Sequence, residues 1–145
     1  MLFEKILVPY DGSPCSIHAF KISMDIAKKY NSKVTVLSCL QTDFRVPWHG
    51  FDYRVQEAIK KKQKEVALNN IAHLESIARK AGVKISSKLS DSNSIVKTLV
   101  SFAKSNKISL IVMGSHGRTG FDKLLLGSVA HGVSQLARCP VLIVK

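Results

Sequence analysis

With 145 residues, 46% of them hydrophobic, the chain can bury one core of ordinary size without disulfides or a structural metal, so a single domain spanning residues 1–145 is expected. Its 22 lysines and arginines against 10 acidic residues leave a net charge of +12, which attracts phosphate as nucleic acid, anionic lipid or nucleotide without choosing among them. Cys15, Cys39 and Cys139 form no CxxC pair and no metal-ligand spacing with histidine, which argues against a disulfide framework or zinc site and suits a reducing cytoplasm.

The opening MLFEKILVPYDGS sets an acid and a base in a short apolar run with no small-residue cleavage site, so neither a signal peptide nor a transmembrane helix is expected. Lys5 to Pro9 predicts a strand that stops at Tyr10-Asp11-Gly12, and Ser13-Pro14 supplies an N-cap followed by proline in the first helical position. Cys15, Ala19, Ile22 and Ile26 then mark one stripe of a helix ending near Lys29 and broken by Asn31-Ser32. Lys33 to Leu40 is a second strand, rich in the residues of a sheet buried on both faces.

Gln41 to Gly50 predicts an irregular loop, and Asp52 to Ala81 a long helix with Val55, Ile59, Val66, Ile71, Leu74 and Ala78 near one face and Gly82 as its stop. Lys60, Lys61, Lys62 and Lys64 fall in that helix and read as a solvated face. Val83 to Leu89 is a third strand, Asn93 to Ser105 a helix, Ile108 to Met113 a wholly apolar fourth strand, Ser128 to Arg138 a last helix and Val141 to Val144 a last strand. Alternation of strand and helix predicts a three-layer α/β fold with a doubly wound parallel five-stranded sheet.

Five of the eight glycines, Gly114, Gly117, Gly120, Gly127 and Gly132, follow the most apolar strand within nineteen residues. Glycine is costly unless the backbone needs positive φ or close approach, and in open α/β sheets ligands sit beyond the carboxyl ends of the strands. The loop GSHGRTG offers backbone N–H groups and Arg118, while Gly127-Ser128 places a cap and a helix N-terminus beside them, which together favour an anion. A phosphate cradle is the better reading; a tight strand-to-helix loop is the other. Neither a Walker A sequence nor GxGxxG is present, and Gly114-Ser115-His116-Gly117 is not the GxSxG of a hydrolase, so His116 is expected to hold the loop by hydrogen bonds. Asp11, on the same rim, can accept ribose hydroxyls or hold a magnesium-bound water, or serve as an ordinary turn aspartate. The end of the second strand near Cys39 offers backbone to a base edge and a small apolar wall.

Gly114, Gly117, Gly127 and Ser128 fit the pattern glycine, two residues, glycine, nine residues, glycine, serine or threonine, and the chain resembles universal stress proteins of the ATP-binding branch over essentially its whole length. ILVPYDGSPCS resembles their opening and GSVAHGVSQLARCPVLIVK their close. The resemblance implies a Rossmann-like fold of the adenine nucleotide alpha hydrolase-like kind. It implies that Pro9 and Asp11 flank an adenosine and that Cys39 stands where valine usually contacts adenine. It implies further that Gly114, Ser115, His116, Gly117, Arg118, Thr119 and Gly120, with Gly127, Ser128 and Val129, hold ribose and phosphates of ATP, with magnesium as its counter-ion. A homodimer paired through Val141 to Val144 is also implied. His131-Gly132 replaces a charged pair common in the last helix, at a cost of about 1 kcal/mol for the mid-helix glycine.

The leading expectation is a cytoplasmic, ATP-binding regulatory or stress-response protein with no catalytic residue and no metal site of its own. A slow ATPase lacks an evident base and a P-loop lysine. A nucleic-acid role rests on charge alone and would be nonspecific, and no membrane partner is expected.

Overall fold

Residues 2–41, 53–117 and 125–145 are described by the computed structural model. Among them the chain forms β1 (Lys5–Pro9), α1 (Pro14–Tyr30), β2 (Lys33–Gln41), α2 (Tyr53–Ala81), β3 (Ile85–Ser92), α3 (Ile95–Ser105), β4 (Leu110–Gly114), α4 (Ser128–Leu136) and β5 (Val141–Val144). The five strands form one sheet in the order β3-β2-β1-β4-β5, every pair parallel.

Alternating strand residues feed two cores. Ile6, Val8, Val34, Val36, Leu110 and Val112 point to one face, where Phe20 and Met24 of α1 and Leu74 and Ala78 of α2 cover them. Leu7, Leu37, Ile111 and Met113 point to the other, under Leu99 and Ala103 of α3 and Ala130 and Val133 of α4. Burying both faces explains why β1 and β4 are nearly continuous apolar runs. Each fully buried side chain of this size contributes about 1.5–3 kcal/mol of transfer free energy.

The helix ends follow their caps. Ser13 accepts from the Ser16 N–H at 3.3 Å, proline takes the first turn, and Asn31 closes α1 in the left-handed region at φ 55°. Gly82, at φ 72°, closes α2, and the Val83 N–H is taken by the Ala78 carbonyl at 2.9 Å. That bond explains why β3 begins at Ile85 rather than Val83, and β3 runs on to Ser92, past Leu89, in register with β2. Similarly the Ile108 N–H closes α3 onto Ala103 at 2.9 Å, so β4 begins at Leu110, two residues later than the apolar run suggests. α3 starts at Ile95 because Ser94 is its N-cap, and α4 stops at Leu136, not Arg138, because Ala137 is extended at ψ 142°. The loop expected over Gln41 to Gly50 lies outside the described residues from 42 onward, as does Asp52; Gln41 itself ends β2.

Gly132 has a packing cause that the sequence concealed. A Cβ there would lie 2.9 Å from Val96 Cγ2, so the glycine lets α4 approach α3.

Chain order positions the site. From β1 the sheet grows outward through β2 and β3 on one side and through β4 and β5 on the other. The crevice of a doubly wound sheet opens at this reversal, beyond the carboxyl ends of β1 and β4.

Candidate functional site

A cavity of about 380 Å³ fills that crevice, within the range of roughly 300–1,000 Å³ typical of small-molecule sites. Its lining mixes two chemistries. Leu37 and Cys39 of β2, Ile95 and Leu99 of α3 and Met113 of β4 are apolar. Asp11, Ser13, Ser115, His116, Gly117 and the start of α4 add polar groups.

At the end of β1, the Tyr10 N–H donates to the Leu37 carbonyl at 3.0 Å, tying the strand exit to β2. Asp11 Oδ1 accepts from the Ser13 N–H at 2.9 Å. Asp11 is therefore a turn aspartate and a cavity-lining residue at once; the two readings of the sequence coincide.

At the end of β4, the Ser115 N–H donates to the Val144 carbonyl and the Gly127 N–H donates to the Ser115 carbonyl, each at 2.7 Å. The second bond joins the two ends of the glycine-rich loop and sets the start of α4 beside the strand exit. Ser115 Oγ lies 3.0 Å from His116 Nδ1 and 3.9 Å from Cys15 Sγ. His116 thus hydrogen-bonds within the loop, as the missing hydrolase motif implies.

The signature glycines are demanded by close approach. A Cβ at Gly114 would sit 2.7 Å from Cys15 Cβ and 2.9 Å from the Cys15 carbonyl carbon, so β4 meets the first turn of α1 through this residue. A Cβ at Gly117 would meet Asp11 Oδ2 at 2.9 Å, and one at Gly127 the Ser115 carbonyl oxygen at the same distance. Sequence reasoning gave all of these to a ligand; Gly114 and Gly127 border the cavity but also let the chain pack on itself.

Gly127 is the N-cap of α4 and makes no side-chain cap bond. Ser128 is the first helical residue, which corrects its expected place at the cap. Gly127, Ser128, Val129 and Ala130 all line the cavity, so the helix presents its positive end there. Burial pushes the Cys39 thiol up to about 11, so it stays a neutral, small wall.

Pro9, Asp11, Cys39, Gly114 to Gly117 and Gly127 to Val129 are thus brought together around one cavity. Arg118, Thr119 and Gly120 lie outside the described residues. Sequence reasoning missed Tyr10, Ser13, Ser16, Leu37, Ile95, Leu99, Met113 and Ala130. The spacing of Ile95 and Leu99, and of Leu37 and Cys39, puts each pair on one face of its element, but apolar core residues give the same signal. Among the described residues no group of three or more His, Cys, Asp or Glu could hold a metal ion, and no helix is long and apolar enough to cross a membrane.

Comparison with known proteins adds four findings. The model of the universal stress protein family matches residues 2–145. A universal stress protein of Methanocaldococcus jannaschii is 34% identical over 146 residues, which cover 99% of this chain and 83% of the relative. Among solved structures, a universal stress protein of Lactobacillus plantarum shares the fold with a TM-score of 0.89 at 21% identity, over 100% of this chain and 99% of that one. A universal stress protein of Archaeoglobus fulgidus in complex with dAMP gives a TM-score of 0.67 at 25% identity, over 100% of both chains.

Proposed function

The chain belongs to the universal stress protein family, and from that premise we propose that it is a nucleotide-binding regulatory protein holding ATP, with magnesium, in the crevice between β1 and β4. The observation that carries the proposal is the mixed lining of the cavity. It joins the apolar side chains of Leu37, Cys39, Ile95, Leu99 and Met113 to the start of α4, which has no side-chain cap. An apolar base and an anionic phosphate chain need both environments in one crevice. The relative from Archaeoglobus fulgidus, in complex with dAMP, supports an adenine nucleotide.

In this reading the backbone around Pro9 and the thiol of Cys39 border the base, and Asp11 takes ribose hydroxyls or a water on magnesium. Backbone N–H groups from Gly114 to Gly120, with Ser115, His116, Arg118 and Thr119 among them, and the turn Gly127-Ser128-Val129 surround the phosphates. Bound ATP places its negative charge among these amides, and a partner protein senses the occupied site. Acid extraction of the purified protein followed by mass spectrometry should yield an adenine nucleotide, and calorimetric titration should show Mg-ATP binding. A folded protein that neither retains nor binds any adenine nucleotide would sink the reading.

The same proposal includes a homodimer through Val141–Val144. β5 is an edge strand, paired on one side with β4, with Leu142 39% exposed; an apolar edge left open is an aggregation hazard. Leu142→Glu puts a charge on that strand without touching the Val144 carbonyl that holds Ser115. Sedimentation should find the parent dimeric and the variant monomeric; an unchanged dimer refutes the interface. A cytoplasmic location is inferred from three free cysteines, which suit a reducing compartment.

A further inference from the structure

The lysine run of α2 plays no part in the cavity. α2 is 29 residues long, roughly 44 Å at helical rise. Its buried positions, Ala67, Ile71, Leu74 and Ala78, all lie in the second half. From Tyr53 to Val66 every residue is exposed or half-buried. Since α2 returns from the carboxyl end of β2 to the start of β3, this free half stands at the same rim of the sheet as the cavity.

Two zones follow one another along it. The first two turns expose Tyr53 (70%), Val55 (46%) and Ile59 (37%). The next turn carries Lys60, Lys61, Lys62 and Lys64, which helical geometry spreads over roughly 200° of the circumference as a partial collar. Arg54 adds a fifth cation, against Glu57, which accepts a hydrogen bond from Tyr53, and Glu65, one turn after Lys61.

We propose that this half of α2 docks on an anionic lipid bilayer. A second copy is disfavoured because the collars would repel. Nucleic acid would satisfy the lysines but offers nothing to the exposed Tyr53, Val55 and Ile59. A bilayer satisfies both zones: the apolar side chains of the first turns enter the interface, and the lysine stems beside them reach its phosphates. The contact is with a surface; it needs no spanning helix and departs from the expectation of no membrane partner.

The test is co-sedimentation of the full chain with phosphatidylcholine vesicles, with and without phosphatidylglycerol. The protein should pellet only with the anionic vesicles. Replacing Lys60, Lys61, Lys62 and Lys64 by Gln should weaken this by at least about a hundredfold, since each cation near an anionic surface contributes about fivefold. Tyr53→Ser combined with Val55→Ser should weaken it at least about fivefold, with circular dichroism and nucleotide titration unchanged because these side chains touch neither core nor cavity. Protein that stays in the supernatant with anionic vesicles overturns the proposal. So does a Tyr53→Ser, Val55→Ser variant that binds like the parent, or duplex DNA that binds as tightly as the vesicles with no dependence on that apolar pair.

Discussion

Gly114 and Gly117 stand three residues apart in one loop and answer to different neighbours. At Gly114 an added Cβ runs into the backbone and Cβ of Cys15, in the first turn of α1. At Gly117 it runs into a single side-chain oxygen of Asp11, at an exposed position on the cavity rim. One glycine therefore joins two layers of the fold, and the other leaves room between the loop and a cavity-lining carboxylate. A signature motif can mix a packing requirement with a binding requirement, and only the identity of the clashing atom separates them.

The largest effect on stability should come from Gly114→Val, because helix backbone cannot yield as a flexible side chain can. A loss of about 3 kcal/mol or more is expected, or roughly 6–12 °C in a thermal melt. Gly117→Val should melt within about 1 kcal/mol of the parent, since it changes the rim and not the core, while its ATP affinity falls at least about tenfold. Equal melting temperatures for the two variants would erase the distinction between them.

Cys39 sharpens the contrast from the apolar part of the lining. Burial raises its pKa from the ordinary 9.0 of a thiol to about 11, so the stability gained by burying the neutral thiol is complete below about pH 9 and is lost as pH rises toward 11. Because solvent reaches this half-buried group, the loss should not exceed about 2 kcal/mol. Denaturation at pH 8 and pH 11, compared between the parent and Cys39→Val, measures it; identical pH slopes would contradict the burial. The smallest effect belongs to Ser128→Ala. With Gly127 as the cap, stability should change by less than about 0.5 kcal/mol, and one lost hydroxyl contact would weaken ATP by about two- to tenfold. A larger destabilisation would return Ser128 to the cap.

The alternation of elements and the carboxyl rim were legible because apolar runs, capping residues and chain reversals are local signals. β1 and β5 fall where their residue types place them, and Asn31 and Gly82 end their helices. The misplaced starts of β3 and β4 have one cause: the N–H groups of Val83 and Ile108 close the preceding helix, and side-chain pattern does not reveal where a backbone donor is spent. The glycine-bearing lining of the cavity was legible from glycine spacing. Leu37, Leu99 and Met113 were not, because such residues are chosen by the core as readily as by a ligand. Gly132 shows the same limit, since its partner Val96 lies 36 positions earlier in another helix.

The sheet order also has a consequence for biosynthesis. β1 is the first strand made, yet it lies at the centre, and its later neighbour β4 is joined to it by contacts such as Lys5 to Ser109, separated by 104 positions. A nascent chain can pair β1, β2 and β3 while the rest is still being translated, leaving one flank of β1 open. Closing that flank requires long-range pairing, which is intrinsically slow. The crevice, with walls from β1, β2, α3, β4 and α4, is completed only when nearly the whole chain has emerged, so a bound nucleotide would stabilise the finished protein and none of its translation intermediates.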